Sequence, residues 1–384
     1  MDYFLTDEQK MVRDMAREIA EKKVLPIRAE MDEKGEYPAE IQKELAKADL
    51  CGLWIPEEYG GMGKGTFESA LVTEELARVC GGVAANYAVN CLATYPILIG
   101  GTEEQKKHFL PPIARGERVS AFALTEPGAG SDAASLSTMA VPDGNDYILN
   151  GTKCFITNAE VAEVYTVITM TDKSKGTRGT TAFIVEKGTP GFVIGKEENK
   201  MGIRATMTRE LHFQDCRVPK GNMLGKIGEG FKIGMRTLDK SRPGIAAQAV
   251  GIAQGALEAS VEYAKTRQQF NQPIIHFQGI QFMLADMATQ IEAARALVYQ
   301  VCKNIDAGVE NYSKESAMAK LFASDMAMKV TTDAVQIFGG YGYMKEYPVE
   351  KMMRDAKVTQ IYEGTNQIQR VVIGASVVRE GASR

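Results

Sequence analysis

The sequence has few of the residues that build metal, disulfide or nucleotide sites. Its six cysteines, Cys51, Cys80, Cys91, Cys154, Cys216 and Cys302, are widely spaced and form no C-x-x-C pair. The three histidines, His108, His212 and His276, stand apart from them. This spacing argues against a zinc site or a disulfide framework and for reduced thiols in a cytoplasm, with no metal expected. No G-x-G-x-x-G follows a β-run, so the dinucleotide fingerprint is absent. The run Gly60-Gly61-Met62-Gly63-Lys64-Gly65 fails the phosphate-loop pattern because position 58 is Glu58, and it reads as a turn. There is no run of about eighteen apolar residues to cross a membrane. The chain opens Asp2-Tyr3-Phe4-Leu5-Thr6-Asp7-Glu8, without the basic-then-apolar order of a secretory or transit signal. Long blocks of like charge are missing too. The 45 Lys and Arg against 49 Asp and Glu leave a net charge of −4, which disfavours nucleic acid or an anionic membrane as a partner. An anionic ligand would need a local pocket of donors.

What is present is the balance of a globular protein: 45% hydrophobic and 24% charged residues, with 37 Gly and 13 Pro scattered rather than clustered. At 384 residues the chain exceeds one ordinary core, and it should bury roughly three quarters of its unfolded surface in two or three packed regions. Residues 1–118 read as a helical domain, with Met11, Met15, Ile19 and Val24-Leu25 near helical spacing and a second amphipathic run opening at Pro38. Residues 119–228 read as a β domain, with short β-rich runs at Val119–Leu124, Tyr147–Asn150, Val164–Met170, Thr181–Val185, Phe192–Ile194 and Glu210–Phe213. Residues 229–384 return to helical spacing, with long runs at Ile245–Thr266, Ile280–Ile305, Lys314–Phe338 and Thr365–Val378. Several of these are apolar on more than one face, as in Val250-Gly251-Ile252-Ala253. Such helices must pack on several neighbours, which predicts a four-helix bundle that also carries a subunit interface. Helices, then strands, then helices is not the alternating order of a dinucleotide-binding sheet.

Three segments carry the residues that chemistry could use. In Ala121-Phe122-Ala123-Leu124-Thr125-Glu126-Pro127-Gly128-Ala129-Gly130-Ser131-Asp132 a β-run ends in a polar turn with two glycines. Taken alone it is either a structural turn or a cradle of backbone N–H groups and hydroxyls. Downstream, Phe155-Ile156-Thr157 puts an aromatic beside a hydroxyl, although a core Phe is the commoner use of that residue. In the third segment, Gln336-Ile337-Phe338-Gly339-Gly340-Tyr341-Gly342-Tyr343 closes a long helix. It is followed by Glu346, Lys351, Asp355 and then Ile361-Tyr362-Glu363-Gly364-Thr365. Glu363 precedes a helix start, where a carboxylate can serve simply as a cap.

Taken together, these segments closely resemble the acyl-CoA dehydrogenase family over essentially the full length, in order and in spacing. Ala123–Asp132 and Gln336-x-x-Gly339-Gly340-x-Gly342-Tyr343 match its two long signatures, and Ile361–Thr365 matches its base-bearing motif. The nearest branch is the short-chain, butyryl-CoA dehydrogenase-like one. The resemblance implies a helical domain, a middle β-barrel or sandwich and a C-terminal four-helix bundle. It implies FAD, with Phe122, Leu124, Thr125, Gly130, Ser131, Phe155, Ile156 and Thr157 around the isoalloxazine. Arg267, Phe270 and Gln278, with Gln336, Gly339 and Gly340 of a neighbouring subunit, would hold the diphosphate and adenosine, and Thr365 and Gln367 would contact the same cofactor. Ser131, Asp239, Arg242 and Gly364 would meet the acyl-CoA. Two subunits then share each flavin, which implies a homo-oligomer, in this family usually a tetramer.

The implied reaction is α,β-dehydrogenation of an acyl-CoA to the 2-enoyl-CoA. Glu363 would be the base, flavin N5 the hydride acceptor, and an electron-transferring flavoprotein the next electron carrier. Its difficulty explains the residues: a proton alpha to a thioester is far less acidic than a carboxyl group of ordinary pKa about 4.3. Burial should raise the base towards the working pH, and the base's own N–H with the flavin ribityl hydroxyl would stabilise the enolate-like oxygen. Some branches carry the base at the position matched here by Ser241, and serine cannot do that work. Asn271, Gln367, Phe155 and Pro243 depart from the usual pattern and touch local geometry. The same residues also fit the enoyl-CoA reductase direction or an acyl-CoA oxidase, and a catalytically silent acyl-CoA-binding homologue is the alternative of another class. The stretches Ala88–Tyr95 and Met235–Gly251, with Val89, Cys91, Leu92, Ala93 and Thr94, point to a modest cavity for a short, branched or compact cyclic acyl group, or to plain helix packing.

Overall fold

The computed structural model describes residues 3–382. Helices α1 (Asp7–Ile19), α2 (Arg28–Lys34), α3 (Ala39–Lys47), α4 (Thr66–Val79), α5 (Gly81–Gly100) and α6 (Glu103–Ala114) come first. Thr6 and Gln9 form a capping box at the start of α1, as Thr102 and Gln105 do for α6. The Gly60–Gly65 run is a turn, but the helix behind it does hold an anion. Both oxygens of the Asp306 carboxylate accept from Thr66 N and Phe67 N at 2.7 and 2.8 Å, capping α4 from the far end of the chain. A Cβ on Gly65 would lie 2.1 Å from that carboxyl carbon, so only glycine allows the approach.

An eight-stranded sheet follows, with strands β1 (Ser120–Ala123), β2 (Met139–Asp143), β3 (Asp146–Thr157), β4 (Val164–Met170), β5 (Thr180–Glu186), β6 (Phe192–Glu197), β7 (Thr208–Pro219) and β8 (Met223–Leu224). Their order is β6-β7-β3-β2-β4-β5-β8, and β1 lies parallel to β4 with Phe122 opposite Thr166. The chain then turns helical through α7 (Gly230–Thr266), the short pair β9 (Gln268–Gln269) and β10 (Gln272–Pro273), α8 (Gln278–Asp306), α9 (Ser313–Phe338), α10 (Pro348–Thr359) and α11 (Asn366–Ala382). Helix α7 begins well before the expected Ile245 because it runs through Pro243 rather than starting after it. Helix α10, unmarked by periodicity, has Pro348 in its first turn, where the missing N–H costs nothing.

The early and late helices are not separate bodies. Leu71, Leu76 and Val83 share one apolar core with Val250, Met287 and Val330, and one face of the sheet (Phe122, Val164, Ile168, Ile184) packs against it. The alternate residues Ala121, Tyr165, Val167 and Val185 fill a second core within the sheet domain. Helix α5 has the length and composition of a membrane span, yet most of it is buried inside the protein. Its polar residues recur on one stripe, Asn86, Asn90 and Thr94, all buried. Asn90 Oδ1 accepts from the backbone N and Oγ of Ser120 at 2.8 and 2.7 Å, and Asn86 Nδ2 donates to Ala205 O at 3.0 Å. The stripe thus docks α5 onto the β domain. The six cysteines are buried free thiols.

At the end of β1 the chain turns at Glu126, whose side chain is all but fully buried with that of Lys153. Lys153 Nζ reaches Glu126 Oε1 at 2.7 Å and Leu124 O at 2.9 Å, while Glu126 Oε2 accepts from Ser137 N and Oγ at 2.6 Å each. Burial opposes the charge on Glu126, but Lys153 and Ser137 outweigh it and hold the carboxyl down at about 2. Burial pushes Lys153 down to about 8 against the pull of Glu126, so both are charged near neutral pH. Lys153→Met would strand a buried carboxylate and should destabilise the protein by about 3–5 kcal/mol in urea unfolding. Adding Glu126→Gln should recover much of that loss; a coupling below about 0.5 kcal/mol in the double-mutant cycle would show that the pair does not hold the turn.

Candidate active site

Two cavities meet where the sheet faces the helices. One, of about 370 Å³, is lined by Val89 and Leu92 of α5, Phe122 and Leu124, Phe231, Met235, Leu238 and Arg242 of α7, and Ile368 of α11. The other, of about 610 Å³, is lined by Glu198–Ile203, Thr208, Arg354, Lys357 and Val358 of α10, Ile361 and Thr365. Thr125, Gly130, Ser131, Phe155, Thr157, Tyr362, Glu363 and Gly364 line both. The period-2 geometry of β1 delivers Phe122 and, just past its end, Leu124 to this wall while Ala121 and Ala123 face the sheet core.

Glu363 stands at the junction. It is not a helix cap: Thr365 Oγ1 accepts from Ile368 N at 3.3 Å and takes that role for α11. The Glu363 backbone is left-handed, φ 52°, a conformation that costs a non-glycine residue about 1–3 kcal/mol. Gly364 follows at φ 90°, where a Cβ would lie 2.6 Å from Gln369 Nε2. That amide donates to Glu363 O at 3.1 Å and Gly364 O at 2.9 Å, fixing the turn from inside α11. The Glu363 backbone N–H has no partner among the described residues.

Its carboxylate turns back to α7. Ser241 Oγ donates to Glu363 Oε2 at 2.5 Å, and Glu363 Oε1 is buried without a partner. Loss of water pushes the Glu363 carboxyl up to about 7, against the opposing effects of the Ser241 hydrogen bond and the Arg242 and Lys320 charges. A buried carboxylate poised near neutrality, with one oxygen free at the edge of an apolar cavity, is suited to accept a proton from carbon. Arg242, itself buried, is oriented by Asp239 at 2.5 Å, which also accepts from Ser313 Oγ at 2.9 Å.

The second cavity offers what a flavin needs. Phe155 is 66% exposed at φ 58° and stands at the wall instead of in a core. The hydroxyl residues Thr125, Ser131, Thr157 and Thr208 ring the space, and a Cβ on Gly130 would meet nothing within 4 Å. Lys351 and Asp355 form an ion pair at 2.5 Å, and Asp355 accepts from Ile203 N at 2.6 Å, holding that wall against α10. These residues fit a planar, multiply hydrogen-bonding group.

Not all the expected site residues meet there. Arg267, Gly339 and Gly340 line a separate surface cavity of about 520 Å³ that shares no lining residue with the first two. Phe270, Gln278, Gln336 and Gln367 are exposed, and Asp239 lines a further open cavity with Arg236 and Lys314. Cys91, Ala93 and Thr94 do not line the acyl-sized cavity, although Val89 and Leu92 do. Ser241, set aside as unable to act as a base, is the hydrogen-bond partner of Glu363 instead. Lys320 and Lys153 carried no signal in the sequence, because nothing local separates a buried lysine from one that snorkels out of a helix.

Comparison with known proteins agrees with this arrangement. Residues 6–117, 121–216 and 228–378 match the models of the acyl-CoA dehydrogenase N-terminal, middle and C-terminal domains. The chain is 50% identical over 381 residues to the acryloyl-CoA reductase (NADH) of Anaerotignum propionicum, covering 99% of this chain and 96% of that one. Among solved structures, it superposes on butyryl-CoA dehydrogenase from Megasphaera elsdenii with a TM-score of 0.96 at 50% identity, covering 98% of this chain and 100% of that one. It also superposes on a structure described as the electron transferring flavoprotein of Acidaminococcus fermentans with a TM-score of 0.97 at 54% identity, covering 99% and 100%. The chain therefore belongs to the acyl-CoA dehydrogenase family, whose members are oxidoreductases that bind FAD.

Proposed function

We propose that this protein oxidises a short, branched or compact cyclic acyl-CoA to its 2-enoyl-CoA, with Glu363 as the base. The observation that carries this reading is the buried, singly partnered carboxylate of Glu363 at the junction of an apolar cavity and a flavin-sized one. The acyl chain enters between Val89, Leu92, Met235 and Leu238, in a space of about 370 Å³ that it shares with the thioester end of the ligand. Arg242 meets the CoA side of the ligand. As the α-proton moves to Glu363, the free N–H of the same residue lies within reach of the thioester oxygen and stabilises the charge that develops there. One such donor is typically worth about 3 kcal/mol. FAD, when bound, supplies the acceptor for the β-hydride at N5.

Thr125, Ser131, Phe155, Thr157 and Thr365 would hold the ring system. Arg267 lines the same surface cavity as Gly339 and Gly340, apart from the other two, which favours joint service of all three to a neighbouring subunit's cofactor rather than the division between subunits expected from the sequence. Likeness to the structure described as an electron transferring flavoprotein supports such a protein as electron partner. The relative named acryloyl-CoA reductase favours a second reading, net reduction of an enoyl-CoA on the same site.

Glu363→Gln should bind acyl-CoA ligands yet bleach its flavin about 1,000-fold more slowly or worse under anaerobic conditions, because the amide cannot take the proton. Retained turnover would show that another group is the base. In the unsubstituted enzyme kcat/KM for oxidation should rise with pH through about 7, since only the ionised carboxylate accepts a proton. Removing the Ser241 hydrogen bond stabilises the neutral form, so Ser241→Ala should move that limb upward by at most about one unit. A downward move would contradict the assignment. A panel of acyl-CoA thioesters scored by the same bleaching should favour acyl groups of about four to six carbons; preference for long straight chains would overturn the size assignment.

A further inference from the structure

Helix α9 places one lysine where a lysine is costly. Lys320 is 0% exposed, and its Nζ donates to Gly364 O at 2.8 Å and Asn366 Oδ1 at 2.9 Å. No carboxylate lies within hydrogen-bond distance of it among the described residues. Asp325, an acid on the same helix, is engaged by Gln360 and Asn366 at 2.7 Å each and by Arg370 at 3.0 Å. Burial pushes Lys320 down to about 7; Glu363 from the turn and Asp325 from α9 favour its ammonium, and Arg242 from α7 opposes it. If its only task were to tie α9 to α11, an uncharged amide would satisfy the same two oxygens without the penalty of burying an ammonium.

The contact made is with the residue next to the base. Lys320 and Gln369 grip the Gly364 carbonyl from two helices, and Glu363 and Gly364 are the two positions in this turn with positive φ. A left-handed, non-glycine residue persists only where its surroundings over-determine it. We propose that Lys320 is a positioning residue for the reaction: its amine locks the Glu363–Gly364 turn, and so fixes at one point both the proton-accepting carboxylate and the backbone N–H beside it. Its ammonium also lies close enough to the Glu363 carboxylate to favour the ionised base before the proton arrives. Proton transfer to Glu363 removes that attraction, so the two groups titrate as a linked pair. This inference rests on Glu363 being the base.

Lys320→Met keeps the buried stem and removes the donors. In the FAD-loaded protein with butyryl-CoA under anaerobic stopped flow, we expect flavin bleaching to slow about 100-fold. The rising limb of its pH profile should move up by about one unit, with ligand affinity within about threefold of the unsubstituted protein. Lys320→Arg, which keeps a charge and donors, should recover part of the rate. A folded Lys320→Met protein with unchanged rate and unchanged limb overturns the proposal, because a lysine that only tied helices together would lower the melting temperature without moving either. Should that variant not fold, amide hydrogen exchange in the unsubstituted protein decides: the Asn366 amide, which donates to Gln360 O across the turn, should be as protected as those of α9, and exchange at the rate of an open loop overturns the lock. Parallel measurement of Glu363→Gln separates the two assignments. Full activity there removes the base itself, whereas an inactive Glu363→Gln beside an unaffected Lys320→Met removes only the role of Lys320.

Discussion

The reaction proposed for Glu363 asks for a carboxylate that is ionised and yet dry enough to be a strong base, and the groups around it bear on both demands. Water would keep a carboxylate charged but weakly basic, while burial favours its neutral form. The structure sets the balance with few groups: one hydroxyl from Ser241, one oxygen left unpaired, and two positive side chains, Arg242 and Lys320, that are near without forming an ion pair with it. Ser241 and Arg242 come from α7 and Lys320 from α9, and together they leave Oε1 without a partner. A direct salt bridge would have lowered the basicity that desolvation supplies.

The same economy governs the turn after β1. Glu126 does no chemistry, but its buried pairing with Lys153 and Ser137 fixes the backbone from which Thr125, Gly130 and Ser131 project. Two of the buried lysines thus hold two segments that line the same cavities. Lys153 has a full carboxylate partner and a structural task. Lys320 has only carbonyl oxygens, which leaves its charge to be felt by Glu363. The polar stripe of α5 does related work, spending Asn86 and Asn90 on docking to the β domain and leaving Val89 and Leu92 to line the apolar cavity.

Much of this was legible in the sequence where local pattern and structure coincide. Val164–Met170, dense in β-branched residues, is β4 to the residue. The 121–132 and 361–365 segments converge on one junction as expected. The misses have physical causes. Strand β2 contains Pro142 and is mostly exposed, so it lacks the alternating pattern. The true start of α7 is masked by Pro243, and α10 by its mixed charges. Ser241 and Lys320 sit 122 and 44 residues from their partners in the turn, and their roles are tertiary contacts that no periodicity encodes. Phe155 was the reverse case, a residue whose commonest fate is a core but which left-handed backbone geometry turns out to the cavity wall.

The single apolar core shared by the first and last helices has a consequence for how the chain is made. During synthesis α4 and α5 leave the ribosome long before Val250, Met287 and Val330, the residues that cover them, have been joined to the chain. For that interval the most apolar helix of the protein has no native partner, and its burial must wait for contacts that close loops of well over a hundred residues. The nascent chain at that stage is the form most exposed to aggregation and most dependent on chaperones. Loss of α7 alone would uncover the α4 and α5 residues that share its core.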